Sequence, residues 1–492
     1  MLSPAISIDI DTGSPPESEW KKYQQYAIEV DPDQDDKATN INLYSMARPH
    51  MRAFHMSWWG FFIAFFIWFA IVPLLGEIQD DLGLTKEEIW TSYIAGLAGN
   101  IVFRCALGPV CDKYGARIPM AVVLCFASIS TACTGLVNSG TGLAVLRLFI
   151  GTAGGTFVMC EYWVSCMFCN ETVGTATAVV GGWGNLGAGV TQLFVGAGLF
   201  PLFRLFFDGD GSKAWRYVSI IPAFIAFCTG IMIYFVSDDA PKGNYSELKK
   251  HGLMKEVSTT TSFRQSASNV NTWLLALQYA VCFGAELTLS NAAGQYYRDE
   301  FDLSIESAAA IASIFGFTNL FARGTGGFLS DLGNSHMGMR GRLLAQAGCL
   351  VAAGITVLIF AQMDSLIYDV SIMILFSLFI QAAEGTTYGI VPYVDPATTG
   401  SVCGIVGAGG SAGAVGFGYC LQIFEYSTCF YLLGSIIITS SLLNLFIFIK
   451  GQNSLLYEVD DTKEVPSETV TRADPVPGKT EGLDADEDSV DS

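Results

Sequence analysis

Two stretches of this chain carry an arginine, a glycine and an aspartate at one spacing: Arg104, Gly108 and Asp112 in NIVFRCALGPVCD, and Arg323, Gly327 and Asp331 in LFARGTGGFLSD. In both, the arginine lies inside an apolar run and the aspartate closes it. At about 1.5 Å per helical residue, each arginine stands roughly 12 Å inward from its aspartate. That depth approaches the middle of a hydrocarbon layer about 30 Å thick, where a cation is costly and marks a function or a buried partner. A guanidinium stays ionised and presents a planar fork of donors. Two forks at matched depth suit a small planar oxyanion, each donating two parallel hydrogen bonds. Without an anion the two cations would repel each other, so binding one monoanion relieves that cost and couples occupancy to closure. The other reading is a pair of structural arginines held by intramembrane acids, for which Glu161, Glu286 and Glu384 are the candidates. Arg147, near the start of a further apolar run, reads as structural.

The elements that carry these groups are membrane spans. Hydrophobic residues make up 51% of the chain, charged ones only 15%, and the mean hydropathy is +0.42, so the bilayer is the expected solvent. Twelve runs are near the length that a crossing helix needs: 57–77, 89–110, 118–137, 142–166, 172–200, 216–236, 271–293, 305–328, 342–362, 368–393, 401–423 and 427–449. The short alternating strands of a closed barrel are absent. The expected fold is an all-α membrane protein of two six-helix bundles, 57–236 and 271–450, joined by a polar linker over 237–270. Lysine and arginine crowd the segments that share a side with both chain ends, which places the tails 1–56 and 451–492 in the cytosol. No cleavable leader is expected, since the tail ahead of the first span is polar and acidic. Residues 1–50 hold nine acids against four bases and residues 451–492 twelve against three, so most of the net charge of −20 belongs to the tails. That acidity describes solvated ends and does not exclude an anion in the core. A nucleic-acid partner is not expected.

Covalent chemistry finds no support. There is no nucleophile–base pair, metal cluster or phosphate loop, so neither an enzyme nor a cofactor is expected. Cys166 and Cys169 form a lone C-x-x-C at a span end, and the four histidines lie at or beyond span ends.

The halves echo each other beyond the arginines. Gly181, Gly184 and Gly187 in VGGWGNLGAG match Gly407, Gly410 and Gly413 in VGAGGSAGAV. In the second run glycine recurs every third residue from Gly404 to Gly416, and each step turns about 300°, so bare backbone faces much of the helix circumference. Small residues let helices approach and slide, and close helices shrink a cavity towards the size of a triatomic anion. Asn185 brings an amide to mid-span, where it can donate to such an anion.

Two parallel six-helix halves with a site at their interface are the layout of the major facilitator superfamily. GPVCDKYGAR (108–117) resembles that superfamily's motif between spans 2 and 3, in which Gly108 allows close packing and Asp112, with Arg117 and other basic side chains and a facing helix N-terminus, latches the cytosolic side. The copy after span 8 keeps Gly327 and Asp331 but not the tail. GGWGNLGAG (181–189), EGTTYGIVPYV (384–394), GIVGAGGSAGAVG (404–416), FGAELTLSNAAGQYYRDEFDLS (283–304) and IFGFTNLFARGTGGFLSD (314–331) are similar to the nitrate/nitrite porter family, in its eukaryotic high-affinity branch. The resemblance implies that Arg104 and Arg323 grip nitrate, that Phe157 and Tyr279 flank it, and that Asn185 bonds nearby. Two departures stand out: Ser411 where many members carry asparagine, and Glu161 where many carry glutamine. It also implies secondary active nitrate transport, with nitrite as a second substrate, in the plasma membrane, and in some members a small single-span accessory protein. Importing a monoanion against an inside-negative potential costs about 2.3 kcal/mol per 100 mV, and each tenfold of accumulation about 1.4 kcal/mol. A concentrating porter therefore needs an inward cation. The family implies a proton, sodium remaining open, and the candidate carriers are Glu286 first, then Glu161 and Glu384. A nitrate/nitrite exchanger without cation coupling and a nitrate sensor with residual transport are the alternatives.

Overall fold

The computed structural model describes residues 26–251, 258–303 and 305–458. Residues 1–25 of the N-terminal tail, linker residues 252–257, Ser304 and residues 459–492 of the acidic tail, with its LDADEDSVDS end, lie outside the described residues.

Eleven helices among the described residues are long and apolar enough to cross a membrane. In chain order they are α1 (His50–Leu82), α2 (Lys86–Tyr114), α3 (Arg117–Leu136), α4 (Gly140–Met167), α5 (Val173–Phe206), α6 (Gly211–Val236) and α7 (Val270–Phe301), then α9 (Met339–Phe360), α10 (Leu366–Val394), α11 (Thr399–Ile423) and α12 (Tyr426–Phe446). The eighth expected span, α8, is a broken helix: Ile305–Phe317, a 3-10 turn at Thr318–Leu320, and Ala322–Met337. Neither piece reaches crossing length by itself, which is why eleven rather than twelve elements qualify. Several helices also outrun the apolar windows that the sequence marks, because polar capping turns extend them. At the start of α2, for example, Thr85 Oγ1 accepts from Glu88 N at 3.2 Å while Glu88 returns a bond to Thr85 N at 2.9 Å.

The N-terminal tail is ordered over its described part. Val30–Asp31 pairs with Lys37–Ala38 as a short hairpin, and Ala38 is fully buried, its carbonyl accepting from Cys169 N at 3.0 Å. The described part of the linker contains two helices, Tyr245–Lys250 and Thr259–Ser268.

With an even number of crossings, the chain enters α1 and leaves α12 on one face, here termed the terminal face; the other is the opposite face. Across the two halves α2 packs on α11, and α5 on α8. Glycine makes these approaches. A Cβ on Gly108 would stand 2.5 Å from the Gly400 carbonyl oxygen, and one on Gly404 2.5 Å from that of Arg104. The contact is therefore backbone on backbone.

Irregular backbone interrupts three spans. Besides the break in α8, α4 carries a 3-10 turn at Thr152–Gly155, and α5 a π segment at Gln192–Leu199 toward its opposite-face end. Non-helical backbone within a span is tolerated where protein or a cavity receives its polar groups.

Candidate functional site

The α4 turn frees a carbonyl for the first arginine. Arg104 Nε donates to Gly154 O at 3.1 Å and Nη1 to Gly407 O at 2.7 Å, the latter on the α11 glycine ladder. Nη2 is buried without a partner among the described residues. The guanidinium carbon lies 4.7 Å from the centre of the Phe157 ring and 5.0 Å from that of Phe283.

The break in α8 sets the second arginine two residues beyond Phe321. Arg323 Nη1 pairs with Glu384 Oε2 at 2.6 Å, and Nη2 reaches Glu161 Oε1 at 3.5 Å and the Tyr279 hydroxyl at 3.0 Å. Its Nε is unpartnered, as are Glu161 Oε2 and Glu384 Oε1. Its guanidinium carbon lies 5.2 Å from the Phe157 centroid, so one phenyl ring serves both arginines. Phe157 runs nearly parallel to Tyr279, at 12° and 5.9 Å between centroids. Gly181 of α5 makes room: a Cβ there would stand 2.5 Å from Glu161 Oε1 and 2.7 Å from Arg323 Nε. Both arginines are fully buried.

The matched pair is thus chemically unequal. Arg323 has carboxylate partners, as the structural reading of the sequence allows, whereas Arg104 donates to carbonyls. Glu286 forms no ion pair with either among the described residues. It accepts from Asn319 Nδ2 at 2.6 Å, leaves Oε2 unpartnered, and neighbours Glu384. Glu286 also lines a cavity of about 160 Å³ in the opposite-face half, between α1, α5, α7 and α8. Asn185 lines the same cavity, with both amide atoms unpartnered. An unpaired buried amide is costly and marks a place for a polar guest.

On the terminal face, two aspartates close the interface by one device. Asp112, at the end of α2, accepts from Gly400 N at 2.7 Å and Ser401 N at 3.0 Å at the start of α11, and from the hydroxyl of Ser262 on the linker. Asp331 accepts from Gly174 N at 3.1 Å and from Thr175 N at the start of α5, and pairs with Arg342 at 2.8 Å. Each carboxylate sits on the positive end of a helix from the other half. Arg117 takes no part. It binds Asp239 at the end of α6, at 3.5 Å, and the Tyr234 carbonyl at 2.6 Å. Burial pushes the Asp239 carboxyl above the usual carboxylate range, and the Arg117 charge opposes that rise. Gly115, at φ 79°, makes the tight turn between them.

Sequence reasoning did not single out Phe283, Tyr388, Asn319 or Asn100. Tyr388 packs edge-on to Phe157 at 4.9 Å and donates to Cys403 O. Asn100, one turn before Arg104, donates to Ser411 Oγ at 3.0 Å and so links the site to the position where many family members carry asparagine. A polar residue one turn from a buried arginine was the available signal.

The Major Facilitator Superfamily profile matches residues 57–417. High-affinity nitrate transporter 2.3 of Oryza sativa subsp. japonica is 40% identical over 387 residues, 78% of this chain and 74% of that protein. The chain belongs to the nitrate/nitrite porter family of the major facilitator superfamily. Other members of the family include Nitrate transporter 2.1 of Chlamydomonas reinhardtii, 37% identical over 80% of this chain and 71% of its own length. The nitrate/nitrite transporter NrtP of a Picosynechococcus strain is 27% identical over 74% of this chain and 83% of its own. Among solved structures, the human organic anion transporter MFSD10 superposes with a TM-score of 0.60 at 16% identity, over 80% of this chain and 99% of that one. The proton:xylose symporter XylE gives 0.59 at 13%, over 79% and 94%. These two establish the porter's fold alone.

Proposed function

We propose that this chain imports nitrate, and nitrite as a second substrate, across the plasma membrane by alternating access, driven by protons. One observation carries the reading: two buried guanidiniums, one from each half, flank a single aromatic ring, and each keeps an N–H without a protein acceptor. A small flat anion is the ligand that would complete both.

The acids supply a route to coupling. Two guanidiniums face three carboxyls, Glu161, Glu286 and Glu384, so an incoming anion adds to a centre that already holds enough negative charge. Glu384 also sits on the fork that the anion needs, 2.6 Å from Arg323 Nη1. A proton on Glu384 removes both obstacles at once: it lowers the local negative charge and frees Arg323. Proton and nitrate then favour each other's binding, and the preference is reciprocal. Glu286, on the cavity wall beside Glu384, is placed to receive the proton first.

The latched terminal face and the cavity in the opposite half support an outward-facing state. The basic residues Lys113, Lys242, Lys249, Lys250, Arg264, Arg340 and Lys450 on or near the terminal face support a cytosolic orientation for it.

Electrophysiology in a transport-null cell tests the proposal. Nitrate is expected to evoke inward positive current, which requires more than one proton per nitrate, and the current should grow as external pH falls and survive replacement of sodium. Loss of the current on removing sodium, or tracer uptake that does not grow as external pH falls, would overturn proton symport.

A further inference from the structure

Four arginines are buried in the membrane body: Arg104, Arg147, Arg323 and Arg342. Arg104 and Arg323 form the central site, and Arg342 is paired with Asp331. Arg147 is 5% exposed and, among the described residues, forms no ion pair. Its Nη1 donates to Ser92 Oγ at 3.1 Å, and its guanidinium lies 5.8 Å from the Tyr93 ring centre. A desolvated cation with one hydroxyl and one ring for company is poorly compensated.

Beside it is a small void of about 10 Å³, in the opposite-face half. Its lining contains no carboxylate. Trp68, Tyr93 and Arg147 are donors on its wall, as is the Asn291 amide, whose Nδ2 already donates to Leu287 O at 2.8 Å. The Tyr93 hydroxyl is buried without a partner, and the Trp68 indole N–H donates to no protein acceptor among the described residues. Gly96 brings α2 close to α4 here: a Cβ there would stand 3.3 Å from the Arg147 carbonyl oxygen and 3.7 Å from Trp68 Nε1. The void shares Phe69, Val72, Leu287 and Asn291 with the 160 Å³ cavity that holds Glu286 and Asn185.

We infer that Arg147, Tyr93 and Trp68 form a second anion site, shallower than the central pair, where a small monovalent anion is held on its way from the opposite face. The donor set selects for an anion by itself; the placing of the site on the transport route rests on the function proposed above. The void admits a water-sized probe, and a small anion engages its donors from the wall shared with the larger cavity. The site raises the local anion concentration at the mouth of the centre, so it acts on capture and not on the crossing step.

Chloride-35 NMR on the full-length protein in nanodiscs tests the site without relying on transport. Arg104→Ala disables the centre while leaving the Arg323 ion pairs intact. In that background, protein-dependent broadening of the chloride line is expected to persist, to be displaced by nitrate, and to fall at least tenfold in apparent affinity on adding Arg147→Gln. Tyr93→Phe, which removes one hydroxyl and keeps the ring, should weaken binding several-fold and guards against a folding defect in the glutamine variant. Broadening that neither Arg147→Gln nor Tyr93→Phe changes would overturn the site, as would chloride binding that nitrate fails to displace. In uptake assays Arg147→Lys is expected to raise KM for nitrate with kcat unchanged; a fall in kcat alone would mark a merely structural arginine. Should the wild-type protein carry no nitrate at all, the function proposed above fails while the chloride measurement still decides this one.

Discussion

Arg323→Lys and Arg104→Lys are both expected to weaken nitrate binding on the order of 100-fold, but only the Arg323 change should also destabilise the empty protein. Lysine keeps the charge and loses the fork. Two charge-assisted hydrogen bonds at about 1.5–3 kcal/mol each set the size of the loss. The stability difference follows from the partners. Arg104 donates to the Gly154 and Gly407 carbonyls, and one ammonium can still satisfy much of that. Arg323 holds two buried carboxylates and a phenol, which one ammonium cannot reach together. Arg323→Leu, which strands both acids, should cost about 3–5 kcal/mol. Equilibrium nitrate binding and thermal unfolding of the four proteins, wild type included, check the asymmetry. Equal melting temperatures for Arg323→Leu and wild type would show that the Glu384 and Glu161 contacts carry little weight.

Glu384→Gln should uncouple the porter. In the wild type an ionised Glu384 competes with nitrate for Arg323, so binding weakens as pH rises, by up to about tenfold per pH unit for one linked proton. Glutamine has the shape of the protonated acid and cannot ionise. The variant is expected to bind nitrate with little dependence on pH, to exchange external for internal nitrate, and to lose accumulation against a gradient. Glu161→Gln should shift the same profile less, because its contact is 3.5 Å against 2.6 Å. Proton-driven accumulation that survives Glu384→Gln would move the carrier role to another carboxyl.

Most of the architecture is legible in the sequence, because long apolar runs and a repeated Arg-x3-Gly-x3-Asp spacing are local signals. The spacing also announces the two latches: an aspartate eight residues from a mid-membrane arginine comes to rest at the terminal face, where a helix of the other half begins. The pairing of acids with arginines is not legible. Glu161, Glu286 and Glu384 all fall at mid-span, and only the rotation of α4, α7 and α10 decides that two of them face Arg323. The break at Phe321 hid Asn319 for a related reason. A continuous α8 would give a different angular relation between Asn319 and Arg323, and no proline marks the turn. Arg117 illustrates the converse. Its motif suggested a part in the latch, but the turn at Gly115 reverses the chain and gives it to Asp239. The described hairpin of the N-terminal tail was masked by its acidity, which reads as a solvated end although Lys37 and Arg48 are tied to Ser165 and Asp238.

Nitrate import by this site requires both guanidiniums to close on the same single ion. A double-mutant cycle on equilibrium nitrate affinity, using wild type, Arg104→Lys, Arg323→Lys and the double variant, tests that directly. If one anion bridges the pair, either change alone should remove most of the binding, and the second should add little to the first. Losses that simply sum, or an affinity that one of the two substitutions leaves intact, would mean that the arginines serve separate sites.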